Sequence, residues 1–198
     1  MFAGHLDLTQ PLLWTLDDAL TPAECEGHIE RLRGGAPEVA PIVGGRGVEI
    51  DLTVRNNTRV MWDDPVTARA LLACVAARLP PRLSGQHLIG ANPRLRVYRY
   101  GPGERHGAHW DTVVPFVGGA QSLCTLVFYL NEGFEGGETE FPELGRTVTP
   151  RRGSALVFQH RVLHIASEVL RGEKFVLRTD LVYGPAGLSD DLVMAREG

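Results

Sequence analysis

The chain has 198 residues, 43% of them hydrophobic and 22% charged, with a formal net charge of −4 at pH 7. That is enough for one domain with a sizeable core, and it lacks the basic surplus of a nucleic-acid footprint. No apolar run reaches bilayer-spanning length, and Met1–Asp7 lacks the basic start and apolar centre of a secretory signal, so neither a nucleic acid nor a membrane is expected as a partner and the expected location is cytoplasmic.

The first clear element is a helix opened by Thr21-Pro22-Ala23-Glu24. Thr21 is placed to cap it, Pro22 sits at its first position and Glu24 reaches back in a capping box. Cys25, Ile29 and Leu32 then share a face, and Gly34-Gly35 ends the helix. His28 within it is a surface or packing histidine. After the glycine loop Gly44-Gly45-Arg46-Gly47, strict alternation over Val48–Arg55 predicts a strand with one solvated face. Arg59 follows, as a substrate contact or a turn charge, with the turn preferred. Asp64-Pro65 starts a second helix through about Leu79, with Val66, Ala70, Leu71, Cys74 and Val75 as its apolar series and Pro80-Pro81 as its stop.

From Asn92 the texture changes to short β-rich runs punctuated by glycine: Leu95–Tyr100, Leu123–Leu130, Ala155–Phe158 and Lys174–Tyr183. Without amphipathic helices between them, such strands suggest an antiparallel barrel or sandwich. Leu123–Leu130 is apolar on both sides and should be central, leaving the Tyr129 hydroxyl in need of a partner. In the last run Phe175, Leu177, Leu181 and Tyr183 share one face, and Lys174, Val176, Arg178 and Asp180 the other. Periodicity leaves two readings of that polar face: solvated, or a barrel lumen whose cations receive an anionic ligand. Cys25, Cys74 and Cys124 are odd in number, far apart and set in apolar surroundings, as reduced core cysteines are.

The densest chemistry lies in Arg96–Asp111. In extended backbone His109 and Asp111 project from one face, close enough to share an ion. A His-x-Asp pair alone is common by chance, and the third ligand that fits best is His164. Two imidazoles and one carboxylate form the facial triad of non-haem Fe(II) oxygenases, with positions left open. His106 and His160 stand near these ligands in sequence and are read as residues beside the site or on the surface. A helical His160/His164 pair would suggest zinc, but no Glu lies between them as a metalloprotease needs.

Read in order, Tyr100-Gly101-Pro102-Gly103, His109-Trp110-Asp111, Tyr129-Leu130-Asn131, Gly136-Gly137-Glu138-Thr139-Glu140-Phe141-Pro142, Gly153–Phe158, His164 and Gly172–Asp180 resemble the prolyl 4-hydroxylase-like Fe(II)- and 2-oxoglutarate-dependent dioxygenases. The resemblance covers about Asn92 to Tyr183. It implies a mainly β fold with supporting α-helices, a double-stranded β-helix of the jelly-roll or cupin kind. Residues 1–91 would be helical and strand support of the same domain, 92–183 the catalytic core and 184–198 a tail.

By the same resemblance His109, Asp111 and His164 hold Fe(II), and Lys174 pairs with the far carboxylate of 2-oxoglutarate. Tyr100 and Tyr129 help to hold that cosubstrate, and Arg178 shares the lysine's strand face. The implied reaction uses O₂, converts 2-oxoglutarate to succinate and CO₂, and hydroxylates an unactivated C–H, with ascorbate a candidate reductant. Asp111 favours hydroxylation, since related halogenases lack this carboxylate. The implied substrate is a prolyl or similar residue in a peptide or protein, with a free amino acid or small metabolite as the alternative. Arg99 and Arg105 are candidates for a substrate carboxylate at the mouth, and the loops Pro41–Arg59 and Asp111–Gln121 for substrate choice. Two readings of other classes are a non-catalytic metal-binding β-helix module and a zinc hydrolase, the latter lacking a convincing general base. The oligomeric state is left open.

Overall fold

The computed structural model describes residues 6–44 and 47–188. Its larger sheet runs, in hydrogen-bonding order, through Leu13–Leu16, Ala155–Gln159, Gln121–Tyr129, Lys174–Gly184, Arg94–Tyr100, Thr58–Asp63 and Glu38–Val39. Gln86–Ala91 pairs with the far end of the Lys174–Gly184 strand. A second sheet is ordered Arg146–Val148, Thr139–Phe141, His164–Ala166, His106–His109. All these pairings are antiparallel. This is the expected mainly β architecture with two helices in support, a double-stranded β-helix.

The period of two on the central strands separates two cores. From the large sheet, Leu95, Val97, Leu126, Phe128, Leu177 and Leu181 point outward and pack with the helices α1 (Pro22–Arg33) and α2 (Pro65–Val75). The alternate residues Tyr98, Tyr100, Tyr129 and Val176 point inward, with Phe141 and Phe158. Strand register lays this inner face out as rows. Tyr129, Val176, Tyr98 and Arg59 stand side by side, as do Val127, Arg178, Arg96 and Met61. The lumen reading of the Lys174–Asp180 face is therefore the correct one: Lys174 and Asp180 are each 2% exposed.

Helix α1 carries the expected capping box, with Glu24 Oε2 accepting from the Thr21 amide at 2.7 Å and Thr21 Oγ1 accepting from the Glu24 amide at 3.3 Å. Asp64 caps α2 by accepting from the Thr67 amide at 3.0 Å. The cysteines are free, with Cys25 and Cys124 buried and Cys74 partly so.

Three sequence expectations are corrected. The buried face of α2 is Ala68, Leu71 and Val75, while Val66 and Ala70 are exposed. At about 100° per residue Val66 and Ala70 fall on one side of the helix and Ala68, Leu71 and Val75 on the other, and packing on the sheet selects the row. The strand expected over Val48–Arg55 stops at Glu49. Asp51 ends it by accepting from the Thr53 amide at 2.9 Å while its carbonyl accepts from Val54 and Arg55, a turn that competes with strand pairing. Arg59 lies in the strand Thr58–Asp63 and not in a turn, paired with Glu38 at 2.8 Å. Gly45 and Arg46 of the glycine loop, Met1–His5 and residues 189–198 of the expected tail lie outside the described residues.

Candidate active site

His109 ends the strand His106–His109 and His164 starts the strand His164–Ala166; the two are direct cross-strand partners. Asp111 lies two residues past its strand, held by its amide donating to the His160 carbonyl at 3.0 Å. One ligand atom from each of His109, Asp111 and His164 falls within 4.8 Å of the others.

Each imidazole is fixed from behind. His109 Nδ1 lies 2.7 Å from the Gly107 carbonyl and His164 Nδ1 lies 3.1 Å from the Val162 carbonyl. A carbonyl only accepts, so both Nδ1 atoms carry hydrogen and both Nε2 lone pairs are free for an ion. Burial lowers both imidazoles, His109 to about 3, with the neighbouring histidine acting in the same direction on His109. Burial would raise Asp111, but the Arg178 guanidinium and the two imidazoles hold it well below the usual carboxylate range. At neutral pH the trio is thus two neutral imidazoles and a carboxylate, the protonation that metal binding requires. Asp111 is oriented by Thr125 Oγ1, which donates to Oδ2, and by Arg178 Nη2, 2.8 Å from Oδ1.

From these three residues a narrow pocket of about 50 Å³ leads to Lys174, past Tyr100, Tyr129 and Thr139, with Phe158, Val127 and Val176 as apolar walls. The Lys174 ammonium is buried, donates to the Gly137 carbonyl at 2.5 Å and lies 5.1 Å from the Tyr100 ring and 5.7 Å from the Tyr129 ring. Gly137 has a φ of +74°, and a Cβ there would stand 3.1 Å from Lys174 Cδ, so a glycine both makes the turn and admits the lysine stem. Burial pushes the ammonium down to about 7 against the pull of Glu138. Such a cation calls for an anion at its free donors. The Tyr129 hydroxyl finds the partner it needs in Thr139 Oγ1, at 2.7 Å. Burial raises both phenols, Tyr100 to about 12, which keeps them protonated and able to donate.

His106 stacks on His109 with ring centroids 3.5 Å apart, and His160 is 2% exposed beside Asp180 at 3.8 Å, so both belong to the interior and not to the surface. Arg178 lines the pocket, but its polar contacts are to Asp111 and Asp180. Arg99 pairs with Glu173 and Glu104, and Arg105 reaches Thr53 and Glu168. Neither of the two is among the residues around the mouth, which correct that expectation: an open cleft of about 510 Å³ on the other side of Asp111 is lined instead by Arg55, Arg59, Arg94 and Arg96, with Tyr98 and Trp110. Of these, sequence offers Arg59 as a candidate substrate contact and the other arginines only as isolated charges. The one available signal was the shared period-two face of Arg94, Arg96, Tyr98 and Tyr100.

Residues 95–179 match the family model of the 2OG-Fe(II) oxygenase superfamily. A prolyl 4-hydroxylase 1 of Arabidopsis thaliana is 27% identical over 83% of this chain and 66% of its own length. The chain spans two thirds or less of the length of the curated relatives it matches. The fold is shared with a viral collagen prolyl hydroxylase of Paramecium Bursaria Chlorella virus-1, solved as a 2OG complex (TM-score 0.63, 19% identity, 89% of this chain and 98% of that one). It is shared too with a prolyl hydroxylase of Trichoplax adhaerens solved with a hypoxia inducible factor peptide fragment (TM-score 0.66, 18% identity, 88% and 84%). Sequence match and fold together support a prolyl 4-hydroxylase-like 2OG-Fe(II) oxygenase.

Proposed function

We propose that this chain, a prolyl 4-hydroxylase-like 2OG-Fe(II) oxygenase, is an Fe(II)- and 2-oxoglutarate-dependent dioxygenase that hydroxylates a prolyl or similar residue of a peptide. The observation that carries the reading is one continuous pocket with a metal-ready His109–Asp111–His164 face at one end and the buried Lys174 ammonium at the other. A structural metal site needs no buried cation, and a hydrolytic one needs a general base; the pocket is lined with donors for a second anion.

In this reading His109 Nε2, His164 Nε2 and Asp111 hold Fe(II). When bound, Fe(II) and 2-oxoglutarate supply the oxidising chemistry that inserts oxygen from O₂ into a C–H and releases succinate and CO₂. Lys174 and the hydroxyls of Tyr100 and Tyr129 receive the distal carboxylate, which loses its water on entry and needs charge-assisted donors in return. Phe158, Val127 and Val176 keep water from the channel between the two ends. Arg178, bonded to Asp111, orients that carboxylate. Residues 92–183 act as the catalytic core, with 1–91 supplying α1, α2 and strands of the same sheet. Ascorbate as reductant belongs to this proposal, as does a reducing, cytoplasmic setting, which the free cysteines support. No described helix is long and apolar enough to cross a membrane.

The test is an anaerobic titration of metal-free protein with Fe(II) and then 2-oxoglutarate. The expected result is the visible charge-transfer band of a keto acid chelated to ferrous iron, weakened in Lys174→Ala, and succinate release under O₂ that is lost in His109→Ala. A folded protein that binds iron without ever giving the band would return the site to a non-catalytic module.

A further inference from the structure

The chain as a whole carries net negative charge, yet the cleft beside Asp111 is walled by guanidiniums. Not all of them are available. Arg94 holds Asp63 through two contacts of 2.9 Å, and Arg59 holds Glu38 at 2.8 Å. Arg55 gives Nε to Asn57 at 2.8 Å and lies over the Tyr98 ring at 4.7 Å.

Arg96 differs from these. Strand register sets it directly opposite Arg178, a like-charge pairing that is unfavourable on one sheet face. The nearby acids are Asp180, 3.6 Å from Arg96, and Asp111, which Arg178 engages at 2.8 Å. Arg96 and Arg178 thus both draw on Asp180, and Asp111 is engaged by Arg178. The Arg96 Nη1 is buried and makes no hydrogen bond, its charge partner being Asp180 Oδ2 at 3.6 Å, while the side chain is 17% exposed and lines the cleft. A carboxylate at 3.6 Å that also serves Arg178 leaves this guanidinium short of an acceptor at hydrogen-bond distance, a shortfall that a ligand carboxylate in the cleft would meet.

We propose that Arg96 receives a carboxylate of the substrate, and that the substrate is a peptide with an acidic side chain beside the residue that is hydroxylated. The proposal rests on the functional reading above and adds the chemistry of the substrate to it. A peptide is favoured over a free amino acid by the cleft's size, about 510 Å³, and by its reach from Asp111 past Arg96 and Met61 to Pro41 and Ile42. Planar guanidinium geometry suits a carboxylate better than it suits a single backbone carbonyl.

The test uses a short fluorescent peptide with a central proline flanked by aspartates, its asparagine counterpart, and free proline. Binding is read by anisotropy on the metal-free protein, and turnover by succinate release on the Fe(II)-loaded protein. The aspartate peptide should bind on the order of tenfold or more tightly than the asparagine peptide in wild type, at a cost that grows with salt. Arg96→Gln should abolish that preference, and Arg96→Lys should keep part of it. Equal binding of the two peptides by wild type would overturn the inference without the need of any variant, as would a preference that persists in Arg96→Gln. Turnover of free proline with no binding of either peptide would overturn the peptide assignment. The ferrous 2-oxoglutarate band in wild type separates these failures from failure of the dioxygenase reading, which alone would remove the band.

Discussion

Arg178 Nη2 lies 2.8 Å from Asp111 Oδ1, inside a protein interior where Asp111 is 5% exposed. The pair fixes the rotamer and the charge of the one anionic member of the trio, and Asp180, 3.2 Å from the same nitrogen, braces the arginine in turn. Removing the arginine leaves a buried carboxylate without its counterion. Arg178→Met should weaken Fe(II) binding by about 10- to 100-fold, the usual cost of losing a group that orients a metal ligand. Arg178→Lys should restore part of it. Competition with a coloured chelator measures the affinity, and thermal melting of the metal-free variants separates this loss from unfolding. Unchanged iron affinity in Arg178→Met would return the arginine to the cosubstrate side of the pocket.

Lys174 predicts a pH dependence for cosubstrate binding. Its ammonium titrates at about 7 in the free protein because burial disfavours the charge. A dicarboxylate pairs with the protonated form only, so binding raises the lysine's pKa. Affinity for 2-oxoglutarate is therefore at its full value below about pH 7, as far as this group is concerned. Above that it falls by up to about tenfold per pH unit until the pKa of the bound state is reached. The measurement is the apparent 2-oxoglutarate affinity from the anaerobic band between pH 6 and 9. Lys174→Met should bind weakly and lose this slope. Folding is linked with the opposite sign: since the folded value lies below the ordinary 10.5, the cosubstrate-free protein gains stability from this residue as pH rises from about 7 toward 10.5.

Tyr98 stands where the pocket that leads to Lys174 meets the arginine cleft. Burial acts to raise its phenol, but the guanidiniums of Arg55, Arg178 and Arg96 outweigh burial and bring it down to about 8. A phenolate absorption should therefore appear with a midpoint near pH 8, well before Tyr100, which burial pushes up to about 12. Tyr98→Phe should remove the early transition and Arg55→Met should move it to higher pH. A first tyrosine transition near 10 in the wild type would show that the guanidiniums do not control this phenol.

The same residues show how much of the site can be read from sequence. His109 and Asp111 are legible as a spaced pair that His164 completes, Lys174 gains its role only from the resemblance to the prolyl 4-hydroxylase-like family, and the alternation around Lys174 and Arg178 places both on one face. Whether that face met solvent or a lumen was a question of what covers it, and the covering sheet comes from pairings such as His164 with His109 that span fifty-five residues of chain. Arg96 was illegible for a related reason. Its importance comes from standing opposite Arg178 in register and beside Met61, on a strand whose first residues, Thr58 and Arg59, the sequence reading put in a turn. The turn after Glu49 was missed because Asp51 and Thr53 alternate with apolar residues as a strand would, while the Asp51 side chain bonds locally instead.

Helix α2 offers the test of packing against pattern. Its sequence presents two apolar rows, and the fold buries the one that holds Leu71, 2% exposed, while Val66 is 74% exposed. Leu71 sits in the outer core with Leu95, Leu177 and Leu181, so truncation leaves a hole between helix and sheet. Leu71→Ala should cost about 2–5 kcal/mol of unfolding free energy. Val66→Ala removes no buried contact and replaces a β-branched residue by a better helix former, so it should change stability by about 0.5 kcal/mol or less. Urea denaturation of the metal-free protein measures both. The reverse order would mean that the helix is turned on its axis, and with it the outer support of the strands that carry Tyr98 and Lys174.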